Sequence, residues 1–234
     1  MGQQEAGLST TVGLIGGLAA RAGIYYYERI LERQAQTGTP AGIMLNHADV
    51  GRVLAAVGAG DKQGLGAYLG ALANALFDGG ASFVAISAVA PHMAIEAITC
   101  AARGPVVNVL DVLDSGISDA GVKRVAVFGN RTVMQTNVFG AVRPGMVVEL
   151  LATEIEAIHA AYTDIALRGK RGTDAETELL RRLAGDLMNR GAEAIVLAGT
   201  DLSSFYADNK PDFPHIDVAQ LHIEAIMARA SARP

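Results

Sequence analysis

Several side chains able to move protons fall at the ends of short apolar runs, where a strand gives way to a turn. Asp201, in Ala198-Gly199-Thr200-Asp201-Leu202, is one of them. Partial burial there would raise its carboxyl pKa and suit it to general-base work, and the same residue type also caps helix N-termini. Thr200 can hydrogen-bond a carboxylate or cap the same helix. His92 follows Ser87-Ala88-Val89-Ala90-Pro91. It is either a proton carrier near neutral pH or a histidine satisfied by local backbone. Ser87 as a nucleophile would need activation by a neighbour such as His92. No Gly-x-Ser-x-Gly elbow surrounds it, so hydrogen-bond donation is the more modest reading. His47, with Asn46 beside it, ends another apolar run. His47, His92 and Asp201 lack the local spacing of metal ligands, and no metal is expected.

Anion recognition is a second chemistry with candidates. Gly16-Gly17-Leu18-Ala19-Ala20 and Gly129-Asn130 each join an apolar run to a helical stretch, presenting backbone N–H groups and a positive helix end. Arg21 and Arg131 lie beside these turns and would either complete a carboxylate clamp or sit on the surface. The first turn is neither a dinucleotide fingerprint, because its third glycine falls at Gly23, nor a P-loop, because it has no Gly-Lys-Ser/Thr.

The elements that must position these residues alternate. Val12–Ile15, Ile43–Asn46, Phe83–Ser87, Val106–Val109, Val125–Phe128, Val148–Leu151 and Ala194–Leu197 read as strands. Longer helical stretches such as Ala22–Gln36 and Gly66–Phe77 lie between them. All-apolar strands alternating with helices imply an α/β fold with parallel sheets covered on both faces. The pattern also repeats. Leu72 to Ala81 and Leu183 to Ala192 share five of ten residues at an offset of 111, each followed by an apolar strand. Val12 to Gly16 likewise corresponds to Val125 to Gly129. Duplication predicts two similar lobes facing each other, with the carboxyl ends of their strands on opposite walls of one cleft. In this register Ala88 is the counterpart of Gly199.

Composition narrows the classes further. The 234 residues carry a net charge of −5 with no extended basic cluster, which argues against a nucleic-acid or anionic-membrane surface. The apolar stretch Val12 to Ala20 is too short to span a bilayer, and the first ten residues hold no Lys or Arg ahead of it. A cytoplasmic protein is the expectation. Cys100 is the one cysteine, which excludes an internal disulfide, and it reads as a buried apolar thiol.

Taken in order, these segments resemble the aspartate/glutamate racemase superfamily, in particular its aspartate-racemase-like branch. Gly13-Leu14-Ile15-Gly16-Gly17-Leu18 resembles the family's opening glycine pair, and Tyr25-Tyr26-Tyr27 the aromatic pair in the helix after it. Val89-Ala90-Pro91-His92 falls on Asn-Thr-x-His, and Phe128 to Met134 resembles the Gly-Thr-x-x-Thr-Met start of the second half. Ala198 to Leu202 falls on Gly-Cys-Thr-Glu-Leu, and Ile216-Asp217 through His222 on the closing Asp-Thr-x-x-x-His. The resemblance is collinear over nearly the whole chain.

It implies two lobes, each a four-stranded parallel sheet flanked by helices, related by a pseudo-twofold axis with the active-site cleft between them. The first would comprise residues 1–104 plus 208–234 and the second 105–207. It also implies cofactor-independent chemistry, with one cysteine from each lobe on either face of a substrate α-carbon, and a homodimer. This sequence has neither cysteine. The first position is Ala88 or Ser87 and the second is Gly199, while Gly23, Val89, Ala90, Asn130 and Val133 stand where the family tends to carry Thr or Asn. Lys170, in a polar run expected to be a loop, resembles a family lysine that contacts the substrate's distal acid.

The leading expectation is therefore an isomerase-like enzyme acting beside a carboxylate of a small, aspartate- or glutamate-like substrate. Its catalytic groups would be non-thiol, drawn from Ser87, His92, Thr200 and Asp201. Gly16, Gly17, Arg21, Asn46, His47, Ala88, Asn130, Arg131, Gly199 and Lys170 would bind substrate. The alternatives are a non-catalytic carboxylate-binding descendant and a lyase, decarboxylase or hydrolase on the same fold.

Overall fold

A computed structural model describes residues 10–19, 21–38, 41–169, 172–207 and 210–232. The strands are β1 (Thr11–Gly16), β2 (Gly42–His47), β3 (Phe83–Ile86), β4 (Val106–Val107), β5 (Val125–Gly129), β6 (Ala194–Ala198) and β7 (His215–Asp217). The helices are α1 (Ala22–Thr37), α2 (Val50–Ala59), α3 (Lys62–Asp78), α4 (Ile95–Ala101), α5 (Val109–Asp119), α6 (Arg131–Gln135), α7 (Ala152–Arg168), α8 (Asp174–Asn189), α9 (Thr200–Phe205) and α10 (Val218–Ser231). Among the described residues no helix is long and apolar enough to cross a membrane.

The alternation of side chains along each strand explains why both faces of the first sheet are covered. Val12 and Leu14 of β1, with Phe83 and Ala85 of β3, pack on one face against Tyr25, Tyr26 and Ile30 of α1 and Ile223 and Ile226 of α10. Ile15, Val84 and Ile86 point the other way, against Leu65, Leu69 and Leu76 of α3 and Ile98 of α4. Two glycines let α3 and α4 touch. A Cβ at Gly66 would lie 2.4 Å from Ala97 Cβ, and one at Gly70 2.5 Å from Ala101 Cβ. Six helices start where a short polar side chain accepts an orphan N–H: Asp49 for α2, Asp61 for α3, Asn108 for α5, Asn130 for α6, Thr173 for α8 and Asp217 for α10.

The first sheet is parallel in the order β2-β1-β3-β4, and the second is parallel in the order β5-β6-β7. The repeat seen in the sequence is a repeat of topology. β1 pairs with β3 through Val12 and Phe83, and β5 pairs with β6 through Val125 and Ala194. β3 then pairs with β4, as β6 does with β7. The fourth position of the second sheet, on the far side of β5, is reduced to a single parallel bridge between Val125 and Val147. The expected strand at Val148–Leu151 is absent because the chain leaves the sheet there and turns into α7.

Sheet membership also crosses the divisions expected at 104 and 207. β4 lies beyond 104 yet hydrogen-bonds to β3, and β7 lies beyond 207 yet hydrogen-bonds to β6. Only after β7 does the chain return, with α10 packing under β1 and α1. Cys100, expected to be buried, is exposed on α4.

Candidate active site

The carboxyl ends of β1, β3, β5 and β6 face one cavity of about 590 Å³ between the two sheets. One wall is built from the segment after β1 and from α2 and Ala88 to Pro91. The other is built from Asn130 to Thr132, the inner face of α7, and Ala198 to Asp201. Ala88, Asn130, Arg131, Gly199, Thr200 and Asp201 all line it. Thr200 ties the walls together, its Oγ1 donating to the Ser87 carbonyl at 3.1 Å.

Ser87 and His92 do not line the cavity. Side chains alternate at the end of β3, so Ala88 faces the cleft while Ser87 is fully buried, its Oγ donating to the Ile15 carbonyl at 2.9 Å. His92 sits in the short 3₁₀ turn Ala90–Ala94 and points inward, also fully buried. Its Nδ1 donates to the Ala88 carbonyl at 2.9 Å, and Nε2 has no hydrogen-bond partner. Its ring meets His222 edge-on at 5.9 Å between centroids. His222 in turn donates from Nε2 to the Val107 carbonyl and accepts at Nδ1 from Tyr26. Burial pushes His92 down to about 4 and His222 to about 3, so both are neutral near pH 7. The proton-carrying role expected of His92 gives way to a buried structural one.

The expected anion clamp is not assembled either. Arg131 is held by Glu156 through two bonds, Nε to Oε1 at 2.7 Å and Nη2 to Oε2 at 2.5 Å. The start of α6 is closed by Asn130, whose Oδ1 accepts from Val133 N at 3.1 Å. At the first turn Gly16 gives its carbonyl to Ala48 N, and neither Gly16 nor Gly17 lines the cavity. Arg21 also stays off the wall. Its Cδ would lie 3.0 Å from a Cβ built at Gly169, and its Nε is buried with no hydrogen-bond partner. Asn46 donates to the Leu72 carbonyl, and His47 is exposed at the end of β2, outside the cavity. Lys170 lies outside the described residues.

Sequence reasoning missed the group that occupies the centre of the second wall. Gly199 has an extended backbone, φ −176°, which any residue can adopt. Its missing side chain is replaced in space by Tyr162 of α7. A Cβ at 199 would lie 2.5 Å from Tyr162 Cε2 and 2.8 Å from its hydroxyl. That hydroxyl donates to Asp201 Oδ2 at 3.0 Å. Burial raises the carboxyl pKa of Asp201, partly offset by the bond from Tyr162. Burial and the neighbouring carboxylate together hold Tyr162 protonated, well above its ordinary value. His159, one helical turn before Tyr162, accepts at Nδ1 from the Arg131 backbone N–H at 3.3 Å, and burial lowers its pKa. The spacing of His159, Tyr162, Thr163 and Ala166 is a helical stripe, and that periodicity is the signal that marks them as one face.

The comparisons place this architecture. The family model described as Asp/Glu/Hydantoin racemase matches residues 15–226. An Asp/Glu racemase candidate of Yersinia pestis superposes with a TM-score of 0.82 at 22% identity, over 95% of this chain and 100% of that one. An aspartate racemase homologue from Pyrococcus horikoshii superposes at 0.77 and 20% identity, over 95% and 100%. The glutamate racemase of Francisella tularensis, solved with D-glutamate, superposes at 0.61 and 14% identity, over 94% and 81%.

Proposed function

The chain belongs to the Asp/Glu/hydantoin racemase family, and from that premise we propose that it transfers a proton at the carbon next to a substrate carboxylate, from one face, through Tyr162 and Asp201. The observation that carries this reading is the Tyr162–Asp201 pair standing where a side chain at Gly199 would otherwise enter the cleft. A neutral phenol hydrogen-bonded to a carboxylate of raised pKa is a proton-transfer unit. In the removal step the Asp201 carboxylate takes the phenol proton as the Tyr162 oxygen takes the substrate α-proton, leaving Asp201 protonated, and the same path in reverse returns a proton to the carbanion. Asn130, Thr132 and His159 gather on the same side of the cavity and supply donors for the carboxylate.

Among the described residues the opposite wall carries no titratable group, since Ala88, Val89, Ala90 and Pro91 are its residues there. Two-base inversion of the kind the resemblance implies would need one. Single-faced chemistry such as proton exchange, isomerisation through an enediolate, or protonation after loss of a leaving group needs only the pair. A hydrolase centred on Ser87 and His92 has no support, because both side chains are buried and bonded to backbone carbonyls.

The test is α-hydrogen exchange in D₂O, followed by NMR, on a panel of L-aspartate, L-glutamate, L-phenylalanine and 2-phenylpropionate. Exchange is expected on at least one, falling by about 10²-fold or more in Tyr162→Phe and in Asp201→Asn. Binding without exchange across the panel would establish the non-catalytic carboxylate-binding reading instead, and undiminished exchange in both variants would remove the pair from the chemistry.

A further inference from the structure

The cavity is polar on one side only. Its first-lobe wall is Val50, Val53, Leu54 and Val57 of α2 with Ala88 to Pro91, and Leu167 of α7 closes the rim from the other lobe. Three of these large apolar side chains are left in water: Val50 is 42% exposed, Leu54 61% and Leu167 78%. They converge on one mouth from two different helices. Among the described lining residues the one cation is Arg131, already neutralised by the two bonds it donates to Glu156.

A substrate with a second carboxylate would set that charge against α2, with no free positive group among the described lining residues to offset its desolvation. The volume of about 590 Å³ also lies within the roughly 300–1,000 Å³ range of pockets that enclose ligands much larger than a four-carbon diacid. We infer that the site takes a monocarboxylate bearing an aliphatic or aromatic substituent, with the carboxylate toward Asn130 and Thr132 and the apolar group against Val53, Leu54 and Leu167. This rests on the reading of the cavity as the substrate site, and it replaces the aspartate-like side chain expected from the sequence.

Binding tests it independently of turnover. Calorimetric titration of 3-phenylpropionate against glutarate compares a phenyl group with a second carboxylate on the same kind of chain. The phenyl acid is expected to bind at least 10-fold tighter, about 1.4 kcal/mol. Leu54→Arg, at an exposed position that leaves the core untouched, is expected to shrink or invert that ratio. Leu151→Arg, equally exposed but away from the cavity, is expected to leave it unchanged. Glutarate binding as tightly as or more tightly than the phenyl acid, binding of neither at millimolar concentration, or equal responses to the two arginine substitutions would each overturn the inference. The two readings fail separately. The expected binding order with no exchange in D₂O leaves the substrate class standing and removes the proton transfer. Exchange on aspartate together with tighter glutarate binding does the reverse.

Discussion

Introducing a side chain at Gly199 tests whether Tyr162 is what fills that part of the cleft. The Cβ of Gly199→Ala would meet Tyr162 at 2.5 Å from Cε2, 2.8 Å from the hydroxyl and 3.0 Å from Cζ. Carbon pairs settle near 3.5–4.0 Å, so the ring must retreat by about 1 Å. The cost of such overpacking is about 1–3 kcal/mol. Backbone strain adds nothing, because φ at Gly199 is −176°. Tyr162→Ala alone removes a large ring and the bond to Asp201, for a loss of about 3 kcal/mol or more. In that background the space is empty, and Gly199→Ala keeps only its small effects on the unfolded chain and on the start of α9. Those effects occur in both backgrounds and cancel in the cycle. The double-mutant coupling should therefore be about 1–3 kcal/mol in favour of the pair, read from urea unfolding of the four proteins. Additivity within about 0.5 kcal/mol would show that the ring does not occupy this space in solution, and the assignment of Tyr162 to the catalytic wall would fall with it.

Other expectations concern the buried groups behind the site. His92 has a folded pKa of about 4 against an ordinary 6.5, so between those values the unfolded chain takes up a proton that the folded chain refuses. Stability is then full above pH 6.5 and falls toward pH 4 by up to about 1.4 kcal/mol per pH unit, and His92→Gln should reduce that slope in unfolding measured across the range. Asp201 and Asp217, raised by burial, act in the opposite sense and are common to both proteins. An equal slope in the variant would contradict the buried neutral imidazole. Thr200→Val removes the bond to the Ser87 carbonyl that joins the walls and leaves that carbonyl unpaired, at about 1–3 kcal/mol in thermal or urea unfolding. A loss no greater than that of Thr163→Val, whose hydroxyl bonds only within its own helix, would show that the clasp contributes nothing.

The sequence made the layout of the cleft legible because strand periodicity and the repeat both act over short distances. β1 with β3 and β5 with β6 pair in matching fashion, and six of the expected cleft positions, from Ala88 to Asp201, line one cavity. What escaped depends on long-range partners. One residue separates Ala88, which lines the cleft, from Ser87, which is buried behind it, and only the phase of β3 decides between them. Arg131 is held by Glu156, on a helix 25 residues later, and no local pattern around Arg131 encodes that partner. The placement of β4 and β7 depends on which sheet edge is open to each crossover, and no local pattern in Val106-Val107 or His215–Asp217 encodes that. Tyr162 carries no motif at all. Its place in the cleft is open because Gly199, on another element, has no side chain.

The stereochemical course of exchange tests the central claim most directly. Each acid of the panel that has a stereogenic α-carbon is incubated in D₂O as a single enantiomer, and deuterium content and enantiomeric composition are followed together by mass spectrometry and chiral chromatography. With Tyr162 and Asp201 on one face and Ala88 on the other, deuterium should enter with retained configuration and fail to enter in Tyr162→Phe. Racemisation keeping pace with deuterium uptake would require a second acid–base group on the Ala88 wall and would contradict the account.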